Sequence, residues 1–115
     1  MQTLEKTGQR SIDWAIGLFE GEGTIKVNSY GSKGKPYYAA QISMTDGDVL
    51  EEFHKVVGVG RLYGPYTFPS SRPLHKPMFS WNVSKKKDLR SFLELILPQL
   101  CHRRAKKAQQ VLRQL

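Results

Sequence analysis

Two carboxylates, Glu20 and Glu22, end a short helix-like run near the start of the 115-residue chain. The same run, WAIGLFEGEG (residues 14–23), carries glycines at positions 17 and 21. Each interior glycine costs a helix about 1 kcal/mol relative to alanine, and a negative charge near a helix C-terminus opposes the macrodipole by a few tenths to about 1 kcal/mol. Carboxylate oxygens are ligands that Mg²⁺ prefers, and a carboxylate beside a phosphodiester can place such a cation there. A stretch that breaks several local rules is therefore a candidate functional site.

The charge balance of the chain favours an anionic partner. Lysine and arginine number 18 against 10 acidic residues, so the formal net charge is +8, which is typical of nucleic-acid binding. No carboxylate occurs in residues 23–45 or 53–87. The single cysteine, Cys101, excludes an internal disulfide and favours an intracellular setting. No segment is apolar over the roughly 18 residues that a membrane span needs, so no membrane partner is expected.

Hydrophobic periodicity predicts the order helix, strand, strand, helix, strand, strand, helix, helix. The predicted strands are TIKVNSY, YYAAQISM, RLYGPYTF and MFSWNVS. Ser11 is predicted to cap the first helix, Thr45 or Asp46 the second, and Pro98 to separate the third from the fourth. Because the strand–strand–helix unit occurs twice, residues 1–115 are expected to form one α+β domain. In it, a four-stranded antiparallel sheet carries its helices on one face.

Side-chain alternation divides the predicted strands into an inward and an outward face. The main inward positions are Ile25, Val27, Tyr38, Ala40, Ile42, Met44, Leu62, Phe79, Trp81 and Val83. The outward positions that suit contacts with base edges are Lys26, Asn28, Tyr30, Tyr37, Gln41, Ser43, Arg61, Tyr63, Ser80 and Asn82. Ala39 shares the outward register. The hairpin loops add basic residues that suit DNA phosphates, namely Lys33, Lys35, Arg72, His75 and Lys76. For any one of these residues, the alternative is an ordinary solvated surface position.

The segment AIGLFEGEG, residues 15–23, resembles the motif for which the LAGLIDADG homing endonucleases are named. Gly17, Leu18 and Gly23 are identical to the motif, and Glu20 and Glu22 stand where the family has acids. The resemblance extends to the order of elements over nearly the whole chain and to the segments VGVGRLYG and LPQL…RRAKKAQQVL. It implies an αββαββα(α) fold with a saddle-like sheet. With one copy of the motif in the chain, it also implies a homodimer.

The resemblance further implies an enzyme that hydrolyses phosphodiester bonds of a pseudo-palindromic double-stranded DNA target, as in intron or intein homing. Mg²⁺, or another divalent cation such as Mn²⁺, would be bound by Glu22 and the carbonyl of Gly21 from both subunits. Asp46 is assigned a supporting role near the attacking water, with helix capping as its alternative. Arg103 or Arg104 matches a basic position where the family often has lysine. The implied dimer interface comprises Trp14, Gly17, Leu18 and Gly21.

Other interpretations of the sequence stay open. Arginine cannot accept a proton at working pH, so the chain is alternatively a catalytically weak or inactive module of the same fold. Such a module would bind DNA or RNA, as in a maturase or a transcription regulator. A third interpretation is a sheet that binds another protein. For Gly17 and Gly21, the alternative is close packing against the chain's own sheet.

Overall fold

The computed structural model describes residues 10–30, 36–66 and 77–115, and the side chains of residues 28–30 and 36 lie outside the description. Its elements are α1 (Ile12–Glu22), β1 (Gly23–Tyr30), β2 (Pro36–Met44), α2 (Gly47–Val57), β3 (Arg61–Tyr66), β4 (Met78–Val83), α3 (Lys86–Ile96), a 3₁₀ turn (Leu97–Gln99) and α4 (His102–Gln114). The strands lie in the order β1-β2-β4-β3, and each is antiparallel to its neighbours. The predicted α+β class and order of elements are confirmed.

The ends of the first two helices follow from local sequence signals. The side chain of Ser11 accepts a hydrogen bond from the backbone N–H of Trp14 at 3.1 Å, as predicted for an N-cap. Gly58 ends α2 in the left-handed conformation, with φ at 77°, and its N–H bonds to the carbonyl of His54. Among the helices of the described residues, none has both the length and the hydropathy to cross a membrane.

The core lies between the inward face of the sheet and the helices, and Trp81 of β4 is at its centre. Its ring is completely buried and meets Phe53 of α2 edge-on, with 4.7 Å between centroids. Phe92 of α3 lies 5.0 Å from Trp81 and 5.2 Å from Phe19 of α1, so three helices meet at one aromatic cluster. Edge-to-face pairs of this kind stabilise beyond the area they bury, which fixes α1 against the sheet.

One prediction about the core, the burial of Leu62, is wrong. Leu62 pairs with Trp81, as its register requires, but is 38% exposed instead of joining the core. The helices leave every residue of β3 exposed, whereas β1, the other edge strand, packs against α1 and α4 and buries Ile25. Ala39 lies opposite Lys26 on the outward register and yet has no exposed surface.

Candidate active site and nucleic-acid interface

The junction between α1 and β1 places Glu22 at the surface. Gly23 is buried, and its N–H bonds to the carbonyl of Phe19. A Cβ atom added to Gly23 would lie 2.6 Å from that carbonyl oxygen and would also collide with the Phe19 ring, so glycine is required for this close approach. Glu22, one residue earlier, is exposed and forms no hydrogen bond or ion pair with the described residues. Its carboxylate is therefore free to bind a cation.

Glu20 has a different environment from Glu22. Its Oε2 accepts a hydrogen bond from the backbone N–H of Cys101 at 3.3 Å, and its Oε1 lies 3.9 Å from Nη1 of Arg104. Cys101 is the N-cap residue of α4 and offers no capping bond from its own side chain. A carboxylate near a helix N-terminus is favoured by the unpaired N–H groups and by the helix dipole. Glu20 thus stabilises the start of α4, which explains an acid near the end of α1.

Arg104 ties α4 to the same junction. Its Nη2 and Nε donate hydrogen bonds to the carbonyl oxygen of Gly23 at 2.8 and 3.3 Å, and its side chain is only 18% exposed. Arg103, the other basic residue assigned to catalysis, is exposed and has no partner among the described residues. Of the two, only Arg103 presents a free guanidinium. Arg104 instead fixes the carbonyl that follows Glu22 in the chain.

A small cavity of about 90 Å³ opens beside this junction. The start of β1, residues 23–25, forms one wall, and Arg103, Arg104 and Lys107 of α4 form the other. Lys107 was not identified from the sequence, although its spacing of four residues from Arg103 places both on one face of a helix. The cavity brings three cationic side chains next to the residue that follows Glu22.

The donors for a metal ion are incomplete within one chain. In the described parts of the chain, no three His, Cys, Asp or Glu side chains are arranged to hold a metal. Glu22 supplies one free carboxylate, and the carbonyl of Gly21 is among the last four of α1, which lack partners in the helix. Mg²⁺ requires six oxygen ligands and commonly takes substrate phosphate and water among them. The donor chemistry fits a divalent cation whose remaining ligands come from other molecules.

Asp46 occupies the N-cap position of α2, but its side chain makes no capping bond. Its backbone carbonyl accepts hydrogen bonds from the N–H groups of Val49 and Leu50 at 3.1 and 3.4 Å. Its exposed carboxylate therefore forms no hydrogen bond with the N-terminus of α2. The supporting role assigned to Asp46 stays a prediction.

The sheet register places the described outward side chains on one surface. Gln41 lies opposite Thr24 on one side and Asn82 on the other, and Asn82 lies opposite Arg61, so one row crosses all four strands. A second row joins Ser43, Ser80 and Tyr63. Tyr37 and Lys26 lie on the same face of the β1–β2 pair. The other predicted contacts, namely the side chains of Asn28 and Tyr30 and the residues Lys33, Lys35, Arg72, His75 and Lys76, lie outside the described residues.

Two features of this outward surface bear on recognition. Nδ2 of Asn82 donates a hydrogen bond to Oε1 of Gln41 at 3.3 Å, so the two amides hold each other in place. Arg61, Tyr63 and Asn82 also line a cavity of about 500 Å³ at the β3 edge, and the rest of its lining comes from Gly58–Gly60, Val83–Lys85 and Asp88. Polar and cationic groups thus continue from the strands to the sheet edge, where Asp88 of α3 is the one acid among the residues that line this cavity.

The helix face predicted to meet a second subunit is open. Gly17 and Gly21 are exposed, and a Cβ atom added to either would meet no described atom within 4 Å. Close packing of these glycines against the chain's own sheet is therefore wrong for the described residues. Trp14 and Leu18, on the same face, are half-buried against the edge of the core. The guanidinium of Arg10 lies 4.9 Å above the Trp14 ring.

No protein-family model and no curated protein matches the chain. Solved structures do match it. The homing endonuclease I-TnaI is 22% identical with a TM-score of 0.67, over 91% of this chain and 73% of I-TnaI. I-CvuI, solved in complex with its target, is 20% identical with a TM-score of 0.68, over 87% of this chain and 62% of I-CvuI. I-LtrWI, a LAGLIDADG homing endonuclease bound to target DNA, is 14% identical with a TM-score of 0.70, over 98% of this chain and 39% of I-LtrWI.

These matches define the fold. The chain has the fold of the LAGLIDADG homing endonucleases, so the predicted resemblance is confirmed at that level. The chain spans about three-fifths of I-CvuI, so the activity of that whole protein carries over only as a proposal.

Proposed function

We propose that the chain is a homodimeric, site-specific DNA endonuclease that uses a divalent cation, and that residues 1–115 form its one domain in an intracellular setting. The observation that carries the proposal is the exposed carboxylate of Glu22, which has no partner among the described residues and lies at the junction of α1 with an outward sheet surface whose strands contain no acid. The fold is that of enzymes solved on DNA. I-CvuI was studied with Ca and with Mg, which agrees with a divalent cation.

In the proposed reaction, the protein mainly positions DNA and metal ligands. Glu22 and the carbonyl of Gly21 would hold a cation, which when bound would activate water and stabilise charge on the phosphodiester. Because one chain supplies few ligands, Glu22 of a second copy completes the site in this proposal. The strands bind the major groove, where amide and guanidinium groups such as those of Gln41 and Arg61 match base-edge acceptors and donors. Two related half-sites follow from two-fold symmetry, so the target is nearly palindromic.

Glu22→Gln tests the catalytic assignment. Glutamine keeps the size and removes the charge, so we expect cleavage of a selected target in Mg²⁺ to fall more than about 100-fold, since even outer-shell changes at metal sites cost roughly 10–100-fold. The matched control is Glu94→Gln, an exposed acid of α3 with no described partner. Equal cleavage rates for the parent and Glu22→Gln would show that this carboxylate is not catalytic.

Gly17→Ala tests the dimer. Because the added methyl group meets no described atom, it should stabilise α1 within one subunit by about 1 kcal/mol. At a close helix–helix contact it would instead separate the backbones, so we expect a dimer dissociation constant at least about tenfold larger, or about 1.4 kcal/mol. Sedimentation across a concentration series measures association, with the exposed Ser91→Ala of α3 as control. Unchanged association would exclude this α1 face as the interface.

A second candidate function is a non-cutting module of the same fold that binds DNA or RNA. The observation in its favour is that the guanidinium of Arg104 is bound by Gly23 and Glu20. Only Arg103 then remains at the basic position that the family resemblance marks for catalysis, where the family often has lysine. Tight metal-independent binding to DNA or a structured intron RNA, without cleavage across a randomised target library, would favour it.

A further inference from the structure

The surface of α4 is strongly basic. Residues 102–114 contain three arginines and two lysines and no acid. Arg104 is taken up by the junction, as described above. Arg103 and Lys107 are exposed and have no hydrogen bond or ion pair with the described residues. Two free cations at i and i+4 repel each other on a helix surface. An anion between them would remove that repulsion.

We infer that Arg103, Lys107 and the start of β1 (Gly23–Ile25) form a binding site for a backbone phosphate of DNA. We refer to it as the phosphate notch. The inference rests on the proposed function, and it assigns to Lys107 a contact with the substrate backbone that the sequence did not indicate.

The size and lining of the notch fit that ligand. Its volume of about 90 Å³ is about the volume that three water molecules occupy in liquid water, which is adequate for a phosphate group. Three of its six lining residues are cationic, and none is acidic. Gly23 has no side chain to occupy the space, and the carbonyl of Gly23 already accepts from Arg104, so it does not face the anion unpaired. The chemistry therefore selects an anionic oxygen group.

The position of the notch indicates why the phosphate belongs to DNA. Gly23 directly follows Glu22, so a phosphate held against Gly23–Ile25 lies beside the candidate metal-binding carboxylate. β1 then continues from the notch into the outward surface with Lys26. A nucleic-acid backbone that passes from the sheet to Glu22 would enter the notch. Arg103 can bind a phosphate through two donors, and Lys107 acts as a point charge.

The test is the salt dependence of binding to a short mixed-sequence DNA duplex, measured by fluorescence anisotropy without Mg²⁺. The slope of log K against log salt is negative, and each phosphate contact increases its magnitude by about 0.9. We therefore expect Lys107→Gln to reduce the magnitude of that slope by about one for each subunit bound. From about 50 to 200 mM salt, the ratio of parent to variant affinity then narrows about 3.5-fold for each subunit. Lys107→Arg should retain the parent slope.

Lys106→Gln is the matched control, because it removes the same charge from the next residue of α4, which does not line the notch. Melting curves for both variants verify folding. Equal slopes for the two glutamine variants, or a parent slope for Lys107→Gln, would overturn the notch and leave the endonuclease proposal standing. The expected slopes, together with no cleavage of any member of a randomised target library in Mg²⁺, would support the notch and overturn the endonuclease. If the parent binds no duplex, both are wrong.

Discussion

Arg104→Met tests whether α4 is clamped to the start of β1. Methionine keeps an unbranched side chain but removes the guanidinium, and with it the hydrogen bonds of 2.8 and 3.3 Å to the Gly23 carbonyl and the contact of 3.9 Å with Glu20. A hydrogen bond to a charged group contributes about 1.5–3 kcal/mol. The second bond shares the same acceptor, and a partly exposed ion pair adds at most about 1 kcal/mol. We expect the free energy of unfolding to fall by about 2–4 kcal/mol.

Urea unfolding followed by tryptophan fluorescence measures this loss, at one fixed protein concentration because association would contribute to stability. Arg103→Met is the control, since it removes the same group from an exposed residue without a described partner. Its effect should stay within about 0.5 kcal/mol. Equal losses from the two variants would refute the clamp and return Arg104 to the residues that are free to meet phosphate.

Three further variants test the elements that support the site. Gly60→Ala should lower the free energy of unfolding by more than about 2 kcal/mol, because φ is 90° and the new Cβ would lie 2.5 Å from Nε1 of Trp81. The control Gly58→Ala, where φ is 77° and the space is open, should lower it by only about 1–2 kcal/mol. Equal losses in thermal melts would contradict the collision. Trp81→Phe removes the 2.9 Å hydrogen bond from Nε1 to the carbonyl of Val59 and should cost at least about 1–3 kcal/mol in urea unfolding, and an unchanged midpoint would contradict it. Glu20→Gln should cost about 0.5–2 kcal/mol by weakening the cap of α4, with a loss that shrinks at high salt, and a loss independent of salt would argue against the helix-dipole contribution.

The backbone elements could be predicted because local signals and the global fold agree. Alternation through β4 makes Trp81 and Val83 inward, and both are buried. Ser11 and Gly58 mark helix ends by mechanisms that need no distant partner. The exposure of Leu62 was missed because alternation identifies the face of a strand and not how far the helices cover it. Both β1 and β3 are edge strands, and yet Ile25 of β1 is buried whereas Leu62 of β3 is exposed.

The candidate site could be predicted only in part, because contacts between distant parts of the chain decide which of its charged residues are free and which are bound. Arg103 and Arg104 are adjacent basic residues and match the family position equally well. They differ only because α4 directs one of them at the carbonyl of Gly23, which lies 81 residues away in the chain. The same holds for Glu20, whose partner Cys101 is also 81 residues away. Lys107 was visible as a charge but not as the neighbour of β1.

The hydrogen bond of 3.3 Å between the side-chain amides of Gln41 and Asn82 has an evolutionary consequence. A change at either residue releases the other amide to rotate and to bond elsewhere. In the proposed endonuclease, substitutions at these two positions would therefore not act additively on base preference. A lineage that adapts to an altered target by single substitutions would have to pass through a variant with one unpaired amide and weaker discrimination between bases. Libraries built to redirect recognition should therefore randomise the two positions together.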